Sequence, residues 1–379
     1  MTGKEMHYIY DAVYSGKISG NGKYTEKCQD FLRKKYTFGK CLLTTSCTDA
    51  LEMAAILLDI NAGDEVIMPA FTFVSTANAF VLRGAKIVFC DSRKDHPGMD
   101  EELIASLITP KTKAIVVVHY AGVACDMDTV MDIAEQHSLF VVEDAAQAID
   151  AYYYSKKDNI QKALGSIGHL AAFSFHETKN IISGEGGMLV INDIQFEKRA
   201  EIIWEKGTNR SSFYRGEVDK YGWVDIGSSF LPSDIIAAFL WAQLENLEVI
   251  QQKRISIWNN YYDKFQALTT QFVLPIIPDY ASNNGHMFYF NCPSIAYRDE
   301  LLKTLKVKNI WAVFHYLSLE NSPYYSSFHD RRALPNSKRY SETLVRLPFF
   351  FELDETKITH IIDVLTKISL NLHDTTHNK

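Results

Sequence analysis

The chain has 379 residues, 47% hydrophobic and 22% charged, with 39 basic against 46 acidic side chains and a formal net charge of −7. That length exceeds what a single hydrophobic core holds, so two lobes are expected, a large one over 1–248 and a small one over 249–379. An acidic balance without a basic stripe excludes nucleic acid and anionic membrane as first partners, and a polar N-terminus with no apolar run of membrane-spanning length points to a cytoplasmic protein.

In chain order, the first informative stretch is Thr44-Thr45-Ser46-Cys47-Thr48-Asp49-Ala50-Leu51, where small hydroxyl residues open an amphipathic helix. Such a start is either an ordinary N-cap or an anion site built from unpaired N–H groups and hydroxyls. Asp49 favours the N-cap, because its carboxylate has to turn away from any phosphate. Short apolar runs follow at 66–68, 86–90, 114–118, 139–142, 171–175 and 187–191, with helical patterns between them. Runs without polar alternation are strands buried on both faces, and the spacing suits crossover helices. The first two-thirds is therefore predicted to be a mostly parallel, helix-covered sheet. From Asp234 the pattern reads as one long helix continuing through Trp258 and Tyr261, and strand-like pieces follow around 287–290 and 311–316. The lobe boundary is expected near 245–255. The six cysteines lack C-x-x-C spacing and read as reduced structural thiols, and no metal site is expected.

Ligands on such sheets bind beyond the C-terminal ends of the strands. After the run at 66–68 come Phe71 and Phe73, one of which can stack on a planar cofactor or simply pack in the core. The run Val141-Val142-Glu143 ends on Asp144, which suits a pyridinium partner, a helix N-cap or a metal ligand, while Glu143 points to the opposite side and reads as structural. Ser174 lies near the end of the run at 171–175, and Lys179 follows it in a loop marked by Gly184, Gly186 and Gly187. Each feature alone has an ordinary structural explanation. Together, at successive sheet ends, they match the parts by which pyridoxal phosphate (PLP) enzymes pair a Schiff-base lysine with an acid at the pyridine nitrogen.

The chain resembles the DegT/StrS class of PLP-dependent nucleotide-sugar aminotransferases. The matching blocks include Thr45-Ser46-Cys47-Thr48-Asp49-Ala50, Gly63-Asp64-Glu65-Val66-Ile67-Met68-Pro69, Phe71-Thr72-Phe73, His119-Tyr120-Ala121-Gly122, Glu143-Asp144-Ala145-Ala146-Gln147, Ser174-Phe175-His176-Glu177-Thr178-Lys179-Asn180 and Glu205-Lys206-Gly207-Thr208-Asn209-Arg210. The last two are most similar to the dTDP-4-amino-4,6-dideoxygalactose transaminases. The resemblance implies an α/β fold of the fold-type I, aspartate aminotransferase-like kind with a smaller C-terminal α+β lobe. It implies that Lys179 carries the cofactor covalently, Asp144 pairs with the pyridine nitrogen, Phe73 stacks on the ring and Gln147 lies near the phenolic oxygen. Cys47, Thr48 and Ser174 would hold the phosphate. Ser229, in Gly227-Ser228-Ser229, takes the place of an Asn that in relatives reaches the phosphate from the neighbouring subunit, which implies a homodimer with shared active sites.

The implied reaction moves an amino group from L-glutamate to C4 of dTDP-4-dehydro-6-deoxy-D-glucose, for cell-surface polysaccharide. A 3-oxo-sugar or GDP-4-oxo-sugar aminotransferase of the same class remains open, since spacing does not separate C3 from C4. Two departures bear on the sugar: the chain starts past the class's short extended N-terminal segment, and Ser318 and Glu320 stand where relatives commonly have Pro and His. His119, Tyr120 and His176 are candidates to reach the sugar or to serve structurally, and Asn209 and Arg210 to contact the diphosphate or make surface pairs.

Overall fold

The computed structural model describes residues 1–269 and 271–376, so Thr270 and residues 377–379 of the expected second lobe lie outside the described residues. In chain order the strands begin with β1 (Lys40–Thr44), β2 (Glu65–Pro69), β3 (Lys86–Cys90), β4 (Thr112–Val118) and β5 (Phe140–Asp144). A surface hairpin, β6 (Tyr152–Ser155) and β7 (Ile160–Ala163), precedes β8 (Leu170–Ser174) and β9 (Gly187–Ile191). Seven of these make the main sheet, in the order β1-β9-β8-β5-β4-β2-β3. The pairs β2–β3, β2–β4, β4–β5 and β5–β8 are parallel, and β9 runs antiparallel to both of its neighbours. The mostly parallel sheet is thus as expected, with β1 added to it and the β6–β7 hairpin forming a separate two-stranded sheet. β1 is only five residues long and runs straight into the hydroxyl stretch, which hid it.

The unbroken apolar runs are explained by burial on both faces. Ile67, Ile115, Val117, Val141, Phe173 and Val190 enter one core with helices Lys23–Tyr36, Met127–His137 and Asp234–Leu244. Val66, Met68, Val116, Val142, Ala172 and Leu189 enter the other with helices Cys47–Leu57, Val74–Val81 and Glu197–Trp204. Each large apolar side chain so buried contributes roughly 1.5–3 kcal/mol, which holds the strand ends rigid for the site beyond them.

The expected single long helix is two, Asp234–Leu244 and Leu247–Phe265. Asn246 ends the first: its Nδ2 donates to the Ala242 carbonyl at 2.9 Å and its amide to the Gln243 carbonyl at 3.0 Å, so side chain and tightened turn satisfy the last carbonyls. The second helix changes core along its length. Leu247 and Ile250 belong to the sheet's core, while Ile257, Tyr261 and Phe265 pack with Phe288, Phe290, Val345, Ile358 and Leu365. The last group surrounds a small antiparallel sheet, β10 (Tyr289–Asn291), β11 (Val313–Phe314) and β12 (Leu344–Arg346), ordered β10-β12-β11. Helix Pro335–Thr343 ties it to the main sheet, since Asp91 accepts the Ser337 and Asn336 amides at 2.8 and 3.1 Å. Among the described residues no helix is long and apolar enough to cross a membrane.

Candidate active site

A cavity of about 440 Å³ opens where the C-terminal ends of β1, β2, β4, β5 and β8 meet residues from the C-terminal part of the chain. The volume suits a cofactor-sized ligand. Of the residues expected to bind cofactor, Cys47, Thr48, Phe73, Asp144, Gln147, Ser174 and Lys179 all line it. Ser229 does not: it is exposed and bridges to Glu205 outside its own chain's cavity.

The anion end is built by helix Cys47–Leu57. Ser46 caps it, its Oγ accepting the Asp49 amide at 3.1 Å, and the first-turn amides of Cys47 and Thr48 have no carbonyl of their own helix to reach. Asp49 is turned back onto the Thr45 hydroxyl, which answers the objection its charge raised. Thr48 Oγ1 donates to Ser75 Oγ at 2.8 Å, and the Ser174 hydroxyl accepts only a long 3.4 Å contact from the His176 amide. The helix start rests on Gly187 of β9, where a Cβ would lie 2.3 Å from the Ser46 carbonyl carbon and 2.4 Å from the Cys47 nitrogen. Only glycine allows that approach.

Across the cavity Asp144, a residue only 6% exposed, ends β5. Thr76 Oγ1 donates to Oδ2 at 2.7 Å and the Ala146 amide to Oδ1 at 3.2 Å, and Thr72 Oγ1 lies 2.8 Å from Thr76 Oγ1. Burial pushes the Asp144 carboxyl above the usual range, opposed by Thr76, the Ala146 amide and Lys179. Gln147 is held by the Ala121 amide at 2.7 Å and donates to Tyr316 Oη at 3.0 Å.

The loop carrying Lys179 is closed by backbone bonds: Ser183 N to Phe175 O at 2.7 Å, Phe175 N to Gly186 O at 2.8 Å and Glu177 N to Gly184 O at 2.9 Å. Gly184 makes the turn in the left-handed region at φ 84°. Burial pushes the Lys179 amine below the ordinary lysine range, with Cys47 and Asp144 pulling the other way. A half-buried amine shifted by desolvation and a buried carboxylate on one cavity are groups whose protonation is set by the site as well as by solvent. Of the two candidate rings, Phe71 packs against Tyr120, Tyr316 and Tyr340, while Phe73 stands 54% exposed on the cavity wall, 6.0 Å from the Tyr316 ring.

The cavity also contains residues that the sequence reading did not single out: Thr76, His286, His315, Tyr316 and Arg346. Thr76 was within reach of inference, one helical turn beyond Phe73 on the same face. The others come from segments far along the chain. His286 Nδ1 pairs with Asn180 Oδ1 at 2.8 Å and His315 Nδ1 with Tyr120 Oη at 2.6 Å. Burial, Arg346 and Lys179 push the His315 imidazole down to about 2, so it is neutral.

The remaining sequence candidates separate. His119 is fully buried and bonded to Glu143 at 2.9 Å, and Glu143 also accepts the Gly165, Ile167 and Gly168 amides at 2.7, 2.8 and 2.6 Å. That network holds the turn leading into β8, so Glu143 is structural. Tyr120 supports His315 from outside the cavity, and His176 lines it. Arg210 donates to Tyr214 at 3.2 Å on the surface, and the Asn209 side chain accepts the Gly222 amide at 2.8 Å. Ser318 donates to Glu320, which also accepts Asn321 Nδ2 at 2.8 Å, and none of the three lines the cavity.

The donor set fits PLP: amides and hydroxyls at one end for a phosphate, a buried carboxylate opposite for a ring nitrogen, a half-exposed aromatic for the ring face and a desolvated lysine beside them. A family model described as the DegT/DnrJ/EryC1/StrS aminotransferase family matches residues 1–366. The spore coat polysaccharide biosynthesis protein SpsC of Bacillus subtilis is 29% identical over 377 residues, covering 96% of this chain and 94% of its own. A Methanocaldococcus jannaschii protein, MJ1066, is 30% identical over 373 residues, covering 96% and 95%. DesV of S. venezuelae, solved in complex with a ketimine intermediate, superposes with a TM-score of 0.86 at 27% identity, covering 97% of this chain and 94% of that one. With the whole chain matched in sequence and fold and the cofactor's donors gathered in one cavity, the protein belongs to the DegT/DnrJ/EryC1/StrS family and is a PLP-dependent sugar aminotransferase.

Proposed function

We propose that the protein transfers the amino group of L-glutamate to C4 of dTDP-4-dehydro-6-deoxy-D-glucose, giving dTDP-4-amino-4,6-dideoxy-D-galactose for a cell-surface polysaccharide. The observation that carries the amino-transfer chemistry is Lys179 and Asp144 lining one cavity, each desolvated and each set by its loop or strand end. The sugar rests on the similarity of the Lys179 and Glu205–Arg210 blocks to the 4-amino-galactose enzymes. SpsC, by its name a polysaccharide biosynthesis protein, supports a cell-surface product.

When bound, PLP supplies a protonated ring that accepts electron density from the substrate carbon. The chain's residues do the rest. Asp144, whose ionised form the Thr76 hydroxyl and the Ala146 amide favour against burial, would hold the proton on the ring nitrogen. Lys179 would hold the cofactor and, as a free amine, would move the proton at the reacting carbon as general base and then acid; an amine lowered by burial is suited to that role. Cys47, Thr48 and Ser174 would hold the phosphate, Phe73 would cover the ring and Gln147 would serve its phenolic oxygen. Ser229 of a second subunit completes the phosphate site, so the working unit is a homodimer, placed in the cytoplasm where nucleotide sugars are made. In this scheme residues 1–248 bind the cofactor and 249–379 form the small domain that brings His315 and Arg346 to the site.

The test is a panel of nucleotide oxo-sugars incubated with L-glutamate, with products identified by NMR. Amination at C4 of the dTDP sugar with an axial amine is expected. Amination only of a 3-oxo or GDP-linked sugar would overturn the substrate.

A further inference from the structure

The Lys179 amine makes no hydrogen bond or ion pair with any described residue, so its direction is set by its backbone and by what holds that backbone. The next residue, Asn180, is buried, and so are its polar partners Gln251 of helix Leu247–Phe265, Asn284 and His286. Asn180 Nδ2 donates to Gln251 Oε1 and to the Asn284 carbonyl, both at 2.9 Å, and Gln251 Nε2 donates to that carbonyl at 3.3 Å. A backbone carbonyl only accepts, so it fixes which end of the Asn180 amide faces it. Asn180 Oδ1 is therefore the end that meets His286 at 2.8 Å, and His286 donates to it from Nδ1. Burial, with the Lys179, Arg254 and Arg346 cations, holds that imidazole well below the usual histidine range, so it is neutral and carries its one proton on Nδ1.

The same junction reaches the far side of the cavity. Asn284 Nδ2 donates to the Gln147 and Ile149 carbonyls at 2.9 and 2.8 Å, and its Oδ1 accepts the His286 amide at 3.1 Å. Arg254 clamps the turn from the helix, donating to the Gly285 and His286 carbonyls at 3.0 and 2.7 Å. Each side-chain nitrogen and oxygen of Asn180, Gln251 and Asn284 thus has a partner. A buried polar network satisfied throughout rigidifies what it joins. Here it joins the lysine's loop, the Gln147 segment and the helix that leads into the C-terminal core.

We infer that Asn180 and His286 are positioning residues for Lys179: the His286 Nδ1–H bond to Asn180 holds the loop so that the lysine amine meets the aldehyde carbon of PLP. The inference rests on Lys179 being the residue that holds PLP, as proposed above. A misplacement of about 1 Å at a reacting atom costs on the order of 100-fold in rate.

Rapid mixing of apo-protein with PLP follows the absorbance band that appears as the lysine nitrogen bonds to the aldehyde carbon and water leaves. The analogue 4-deoxypyridoxine 5′-phosphate has the ring and phosphate but no aldehyde, so its affinity reads the rest of the site. Asn180→Ala and His286→Gln are expected to form the bond about 10- to 100-fold more slowly, with affinity for the analogue unchanged. His286→Asn keeps a donor where Nδ1 stands and is expected to retain most of the rate. Should Asn180→Ala not fold, the two His286 variants carry the comparison. No band in the wild type overturns the attachment to Lys179 and this role with it. Wild-type rates in Asn180→Ala and His286→Gln, an equal weakening of the analogue, or a rate kept by His286→Gln and lost by His286→Asn would overturn the role alone.

Discussion

Thr76 offers the sharpest test of how the site holds its acid. Thr76 Oγ1 gives Asp144 Oδ2 its shorter hydrogen bond, 2.7 Å, against 3.2 Å from the Ala146 amide at Oδ1. Burial opposes ionisation of this carboxyl, so each donor is a term that keeps it charged. Thr76→Val keeps the shape and removes the donor. A hydrogen bond to a charged acceptor is worth ~1.5–3 kcal/mol. Since PLP with a protonated ring nitrogen requires ionised Asp144, the loss falls on cofactor affinity, and at 1.4 kcal/mol per decade it amounts to ~10–100-fold. Thr72 lies 2.8 Å from Thr76 Oγ1 and loses its partner in the same variant, so Thr72→Val is expected to show a smaller effect of the same sign. Fluorescence titration of apo-protein with PLP measures both. Thr76→Ser restores the hydroxyl and is expected to restore affinity. Wild-type affinity in Thr76→Val, or an equal loss in Thr76→Ser, would refute the role.

Three further outcomes are expected. The folded pKa of Asp144 is raised above its unfolded value of 3.8, so its contribution to apo-protein stability is full below 3.8 and lost as pH rises through the folded value. Apo Asp144→Asn should accordingly melt above apo wild type at neutral pH, with the gap closing as pH falls toward 3.8, while its PLP affinity drops; scanning calorimetry of apo-proteins across pH checks the sign. Gly187→Ala places a methyl 2.3 Å from backbone that cannot swing aside, so a loss of ~1–3 kcal/mol in urea unfolding and weaker PLP binding are expected. Glu143→Ala strips a buried partner from His119 and from three amides and is expected to cost ~3–5 kcal/mol in the same assay.

Much of this site was legible because its parts are local. Asp144 and Ser174 close apolar runs as the last residues of β5 and β8, and strand ends are where such sheets bind ligands, while the hydroxyls at 44–48 read directly as a helix start. The two phenylalanines could not be told apart by spacing, since both follow β2; burial decides, putting Phe71 in the core and leaving Phe73 at the cavity. Asn246 shows the limit for helices, because a side-chain bond to Ala242 interrupts a hydrophobic pattern that runs on unbroken. His286, His315, Tyr316 and Arg346 were illegible for a different reason. They lie more than a hundred residues beyond Lys179, on short strands and loops that carry no motif, and only the packing of the C-terminal core against the sheet brings them to the lysine.

The central claim is that Lys179 is the residue that holds the cofactor. Borohydride reduction of the PLP-loaded protein, followed by peptide mass mapping, tests it directly. A pyridoxyl label on Lys179, absent in Lys179→Ala, is predicted. A label on another lysine, or a reduced protein carrying none, would contradict it.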